Sequence, residues 1–132
     1  MTRWMWILLW CLSCGLASAQ GVVNPHRVEF TASPDHNTVL PDGQAAVTLY
    51  RLEIVAIGAQ AATTGATLGK PTPDAQGKIT ASPQELLGTP LGQMFFARVI
   101  AVGPQGEAAS DPSNPFGRFG PPAPPREVKV VP

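Results

Sequence analysis

The chain has 132 residues, with nine Lys and Arg against nine Asp and Glu and a formal net charge of zero. That balance excludes the basic footprint of a nucleic-acid binder. The length allows one domain.

The first stretch, MTRWMWILLWCLSCGLASAQ, opens on a basic Arg3, continues as an apolar run from Trp4 to Leu12, and closes on Ala17-Ser18-Ala19. This is the pattern of a secretory signal peptide with an A-x-A cleavage site, so residues 1–19 are expected to be a leader and Gln20 the first exported residue. The run is shorter than the ~20 apolar residues a spanning helix needs. Two readings compete with cleavage, an uncleaved anchor and lipid attachment at Cys14; the second is weakened by Cys11, which stands where Leu is usual. Cleavage removes Cys11 and Cys14, so their C-x-x-C spacing carries no redox or metal chemistry. It also removes Trp4, Trp6, Trp10 and Arg3, leaving eight basic against nine acidic side chains. The remainder, 132 less nineteen or 113 residues, holds no cysteine and must be stabilised by its core alone.

Beyond Gln20 no segment sustains the i, i+3, i+4 spacing of a helix. Short pieces of period two are punctuated by Pro, Gly, Asp and Asn, which predicts an all-β domain. A strand is expected over 27–33, with Val28, Phe30 and Ala32 on one face. A polar loop, 34–45, follows, with turn chemistry at Pro41-Asp42-Gly43. The longest strand is expected over 46–58, with Tyr50, Leu52, Ile54 and Ala56 inward and Arg51 and Glu53 outward. Residues 61–69 are small and Thr-rich, as in a short edge strand. A loop at 70–77 leads to a short strand around Ile79. The strand expected over 94–103 is the second strong one, and a weaker strand begins at 106. From Asp111, DPSNPFGRFGPPAPP reads as an extended, polyproline-like connector that cannot be a central strand. The Pro-rich tail, 117–132, ends on REVKVVP, where Val128 and Val130 alternate with Glu127 and Lys129 as in a half-buried strand at 126–131.

FFARVIAVGPQGEAAS, residues 95–110, resembles the F strand, F–G turn and G strand of a fibronectin type III domain, through Phe95, Arg98, Val99, Ala101, Val102, Gly106 and Ser110. YRLEI at 50–54 is similar to the family's C strand, and PPAPPREVKVV resembles the opening of such a domain. The resemblance implies an immunoglobulin-like β-sandwich over residues 20–116. Phe30 stands where the family usually has Trp, and Phe95 where it usually has Tyr, so no tyrosine-corner hydroxyl is expected there. No good A strand precedes Arg27, since GVVNPH is short and holds Pro25. Three fates are open for 126–131: filling the A position of its own domain, pairing with the edge of another chain, or serving as a linker or the start of a further module.

No catalytic constellation is present. His26 and His36 are not at metal-ligand spacing and have no Cys to join them. No serine sits in a Gly-x-Ser-x-Gly elbow, and no Gly-rich loop enters a helix. The chain is therefore read as non-catalytic and without a cofactor. Asp35, His36, Asn37 and Asp42 cluster in one loop as a candidate polar or calcium contact, against the simpler reading of a solvated turn whose Asn and Asp bond their own backbone. Pro104 and Gln105 form the tip of a second candidate loop, which lacks Arg-Gly-Asp. Phe95 is expected in the core. Phe96 must face the other way, covered by Phe116 and Phe119 or exposed as a partner surface. The expected role is a secreted or periplasmic binding or spacer module acting through loops or a sheet edge. The other reading is an accessory module that delivers a secreted enzyme to a polymer. Expected partners are a protein or an extracellular polymer, with no nucleic acid and no membrane span once the leader is removed.

Overall fold

The computed structural model describes residues 21–132. The leader read over residues 1–19, with Cys11 and Cys14, lies outside the described residues. Eight strands follow in chain order: β1 (Val22–Val23), β2 (Val28–Thr31), β3 (Leu49–Ala56), β4 (Thr64–Gly69), β5 (Lys78–Ala81), β6 (Met94–Gly103), β7 (Gly106–Ala109) and β8 (Phe116–Gly117). A single 3-10 turn, Gln84–Leu86, lies between β5 and β6. The all-β expectation therefore holds. β1 and β8 are additions that period-two reading passed over, because two residues cannot display an alternation.

β3 and β6 are the longest strands, and they pair antiparallel from Leu49↔Val102 to Ala56↔Phe95. Side chains alternate across a strand, so this register sends Tyr50, Leu52 and Ile54 to the same face as Phe95 and Ala97; all five are buried. β4 flanks β3, β7 flanks β6, and β1-β8 extends the same six-stranded sheet, with β1 parallel to β8. β2 and β5 form a separate two-stranded antiparallel sheet. Residues of both sheets share the core. Leu52, Ile54, Leu86, Phe95, Ala97 and Phe116 pack together with Val28 against them, and Tyr50, Val47 and Ile79 form a second cluster with Phe30. Each large aliphatic side chain so buried contributes about 1.5–3 kcal/mol.

The turn from β6 to β7 is closed by the two residues Pro104 and Gln105, between Gly103 and Gly106. Gly103 is required by a close approach, because a β-carbon there would collide with the carbonyl oxygen of Ala46. Gly106 has φ 132°, which favours glycine.

Two expectations about the C-terminal third are corrected. The segment after Asp111 is not wholly a connector. It runs along β6, where Ser110 and Ser113 accept the amides of Val99 and Ala97 at 2.9 Å through their hydroxyls, and donate their own amides to the carbonyls of the same two residues. The serine side chains thus bond to strand amides where Pro112 and Pro115 keep the segment from forming a regular ladder. The packed part also passes residue 116. Gly117 is buried, Leu91 bridges Arg118, and the amide of Phe119 donates to Asn24 Oδ1 at 3.0 Å. The second correction is that 126–131 forms no strand. Glu127 has φ 51°, in the left-handed region, which breaks the extended run, and Val128 and Val130 are 86% and 99% exposed. Residues 121–132 are all exposed.

Candidate functional site

One opening lies between the two sheets. β2 is bonded to β5 alone. Ala32 donates its amide to Gly77 on the β5 side. By the two-residue period, the backbone groups of Phe30 and Val28 also face β5, and those of Glu29 and Thr31 face outward. Beside this edge runs a groove of about 440 Å³. Val99 lies at its base, over the buried Leu52 and Ala97; one wall is Val28 and Phe30 of β2, and the other is Ser110, Asp111, Ser113 and Asn114. A second hollow of about 220 Å³ shares Phe30, Val99 and Ser110 with the first and continues it past Ala101 to Pro34. The lining is apolar in the floor and charged at the rim, with Arg27, Glu29 and Asp111 there. An apolar trough beside a row of outward backbone groups suits an extended peptide, which supplies hydrogen bonds along its backbone and alternate side chains to the floor.

The loop candidates are placed differently from one another. His36 is not a solvated loop residue; it is 7% exposed. Its ring stacks on Tyr50 with centroids 5.7 Å apart, and Nδ1 lies 2.8 Å from the Tyr50 hydroxyl. That hydroxyl also accepts the Ser33 amide at 3.1 Å. Tyr50 thus ties the loop to the core through a hydroxyl on β3, whereas the resemblance put such a bond in question at Phe95. Asp35 is exposed and engaged locally: its carboxylate accepts from the Thr38 hydroxyl, and its amide donates to Ser33 Oγ. Asp42 accepts the Gln44 amide at 3.0 Å. Both aspartates bond within their own turns, as Asx geometry allows. Asn37 is exposed and lines a hollow with His36 and Asp74, where the 34–45 and 70–77 loops meet. Gln105 shares a different hollow, of about 290 Å³, with Asp35. The structure therefore brings Asp35 to Gln105, turns His36 inward, and leaves Asp42 and Pro104 outside both hollows. Among the described residues no three His, Cys, Asp or Glu side chains converge to hold a metal ion.

The outer face of the large sheet carries a charged row. Arg51 donates two hydrogen bonds to Glu107, both 2.9 Å, and Arg98 donates to Glu53 at 2.6 Å. Arg51 and Glu53 approach to 3.6 Å, which joins the two pairs. The hydrogen bonds from Arg51 hold the Glu107 carboxyl below its ordinary range, and those to Glu107 raise Arg51 in turn. Across the small sheet, the bond to Glu29 at 3.0 Å raises the Lys78 ammonium. Phe96 is half-buried on the outer face opposite Val55. Phe116 does not cover it; that ring stacks on Phe95 instead, with centroids 6.1 Å apart.

Two long-range contacts of the C-terminal segment had little or no local signal in the sequence. Asn24 has φ 53°, a conformation Asn tolerates, and its side chain meets the Phe119 backbone through both Oδ1 and Nδ2. The one sequence signal for it was an Asn before a Pro. Arg118 donates to the Thr89 carbonyl at 2.8 Å and pins the 87–92 loop beside the strand it follows. No family model matches the chain, and no curated protein is found to be similar to it.

Proposed function

We propose that this chain is an exported, non-catalytic binding or spacer module with an immunoglobulin-like β-sandwich similar to fibronectin type III, and that it binds through the outward edge of β2. The observation that carries the reading is the groove beside that edge, lined by Val28, Phe30 and Val99, together with the outward backbone groups of Glu29 and Thr31. Sheet edges are ordinarily covered, twisted away or charged. This one has a charged rim and a hollow beside it lined by Val28, Phe30 and Val99, which suits a partner that enters as a strand. The order β4-β3-β6-β7 in one sheet and β2-β5 in the other supports the family resemblance, since the missing neighbour of β2 is the A strand that the sequence lacks. The partner class is a protein with an extended segment.

Hydrogen exchange tests the binding reading. The amides of Glu29 and Thr31 are expected to slow when the purified protein is mixed with an extract of exported proteins. Protection confined to the 34–45, 70–77 and 103–106 loops would move the site to the loops. Protection nowhere would overturn the binding role. Fractionation tests the location: the protein is expected in the periplasm or the medium with residues 1–19 removed, and intact retention in the cytoplasm would overturn export.

A further inference from the structure

The segment Arg126–Val131 has the chemistry of the missing strand and lies away from its own groove. Its valines 128 and 130 share one face and are almost fully exposed. Six extended residues cover about 20 Å, enough to span the four residues of β2, Val28–Thr31, and pass beyond its ends. The charges correspond as well. The groove rim carries Arg27, Glu29 and Asp111, one negative charge in excess, and the segment carries Arg126, Glu127 and Lys129, one positive in excess. With Val128 and Val130 on the floor, Glu127 and Lys129 point to solvent beside the outer row of β2, where Glu29 already binds Lys78. Docking as a strand also returns Glu127 from φ 51° to the extended region.

The connector argues for a neighbour rather than the chain's own tail. Phe119 is the last anchored residue, held by Asn24 next to the Pro25 end of the groove. Residues 120–125 contain four prolines, and in extended form they span about 19 Å at ~3.1 Å per residue. The connector alone is longer than β2, so the chain would have to double back through stiff residues to lay its own valines there. We propose that Arg126–Val131 of one copy adds as a strand to β2 of a second copy, so that the chain is its own partner. This rests on the β2-edge reading of the preceding subsection and names its occupant. Each copy offers one segment and one groove, so exchange closes as a reciprocal dimer or continues head to tail.

The test uses protein expressed from the full sequence, alone and as the double variant Val128→Asp, Val130→Asp. Sedimentation equilibrium is run across a wide concentration range, and hydrogen exchange is followed at Glu29 and Thr31. The expected result is concentration-dependent association, weakened about tenfold or more in the variant because carboxylates are excluded from an apolar floor. Exchange at both amides should slow with concentration in the unaltered protein and stay fast in the variant. The thermal midpoint of the dilute variant should not move, since both valines are exposed. A monomer at every concentration overturns the inference. So does protection at Glu29 and Thr31 that is independent of concentration and lost in the variant, which would mean that the chain's own tail fills the groove. If the protein stays monomeric while an exported extract protects the β2 amides, the edge reading stands and the self-pairing falls. If neither self nor extract protects them, both fall.

Discussion

β6 and β2 both carry aromatic residues into the same core, yet their surroundings differ. β6 has β3 on one side and β7, the serine-bonded segment and β8 on the other; its Phe95 is fully buried. β2 has β5 on one side and a groove on the other; its Phe30 is half-buried and meets Tyr50 edge-on at 5.1 Å. A strand closed on both sides serves stability. A strand left open on one side has backbone groups that meet no neighbouring strand among the described residues. The molecule joins the two kinds in one core.

Four measurements press on this contrast. Phe95→Ala is expected to cost about 3–5 kcal/mol in urea unfolding, as a truncation in a filled core, and a loss below about 1 kcal/mol would remove Phe95 from it. The same change at Phe30 should cost clearly less, because the groove already exposes part of that ring; equal losses would mean that β2 is as closed as β6. Tyr50→Phe removes the hydroxyl shared by Ser33 and His36 and leaves both without that partner, a loss of about 1–3 kcal/mol. If stability is unchanged, the hydroxyl does not tie the loop to the core. Ser113→Ala takes away the acceptor for the Ala97 amide and should cost about 0.5–1.5 kcal/mol, with faster exchange at Ala97; no change there would show that the Pro-rich segment holds β6 without the serine.

The smallest effect concerns acid. Hydrogen bonds from Arg51 depress Glu107 in the folded protein. Its contribution is therefore present above the ordinary Glu value of about 4.3 and is lost as pH falls through the lower folded value. Both partners are exposed, so salt should screen the effect. Glu107→Gln should flatten this part of the acid limb, and an unaltered acid limb would show that the pair adds nothing to the β6–β7 hairpin.

Much of the strand plan was legible because alternation is a local property. LYRLEIVA and MFFARVIAVG each show an inward and an outward row, and both rows point where the spacing puts them. Other features depend on residues far apart in the chain. His36 stands in a run of polar turn residues, and nothing local says that it will turn inward; the Tyr50 hydroxyl, fourteen positions on, gives its ring a polar partner inside. The Ser110 and Ser113 hydroxyls look like loop chemistry until β6 supplies amides for them. Asn24 and Phe119 are 95 positions apart. REVKVV has the period of a strand, but a period gives only a willingness to pair, and the chain's own β2 edge is left without it.

The sequence by itself determined the all-β character, the two long strands and their inward faces and the tight turn at 103–106, because each follows from side-chain type and near-neighbour spacing. Only the tertiary structure decided which edges are closed, where His36 lies and that a groove opens beside β2. Those outcomes depend on hydrogen-bond partners and packing brought together across the chain, and a local pattern carries no record of which distant backbone will come to meet it.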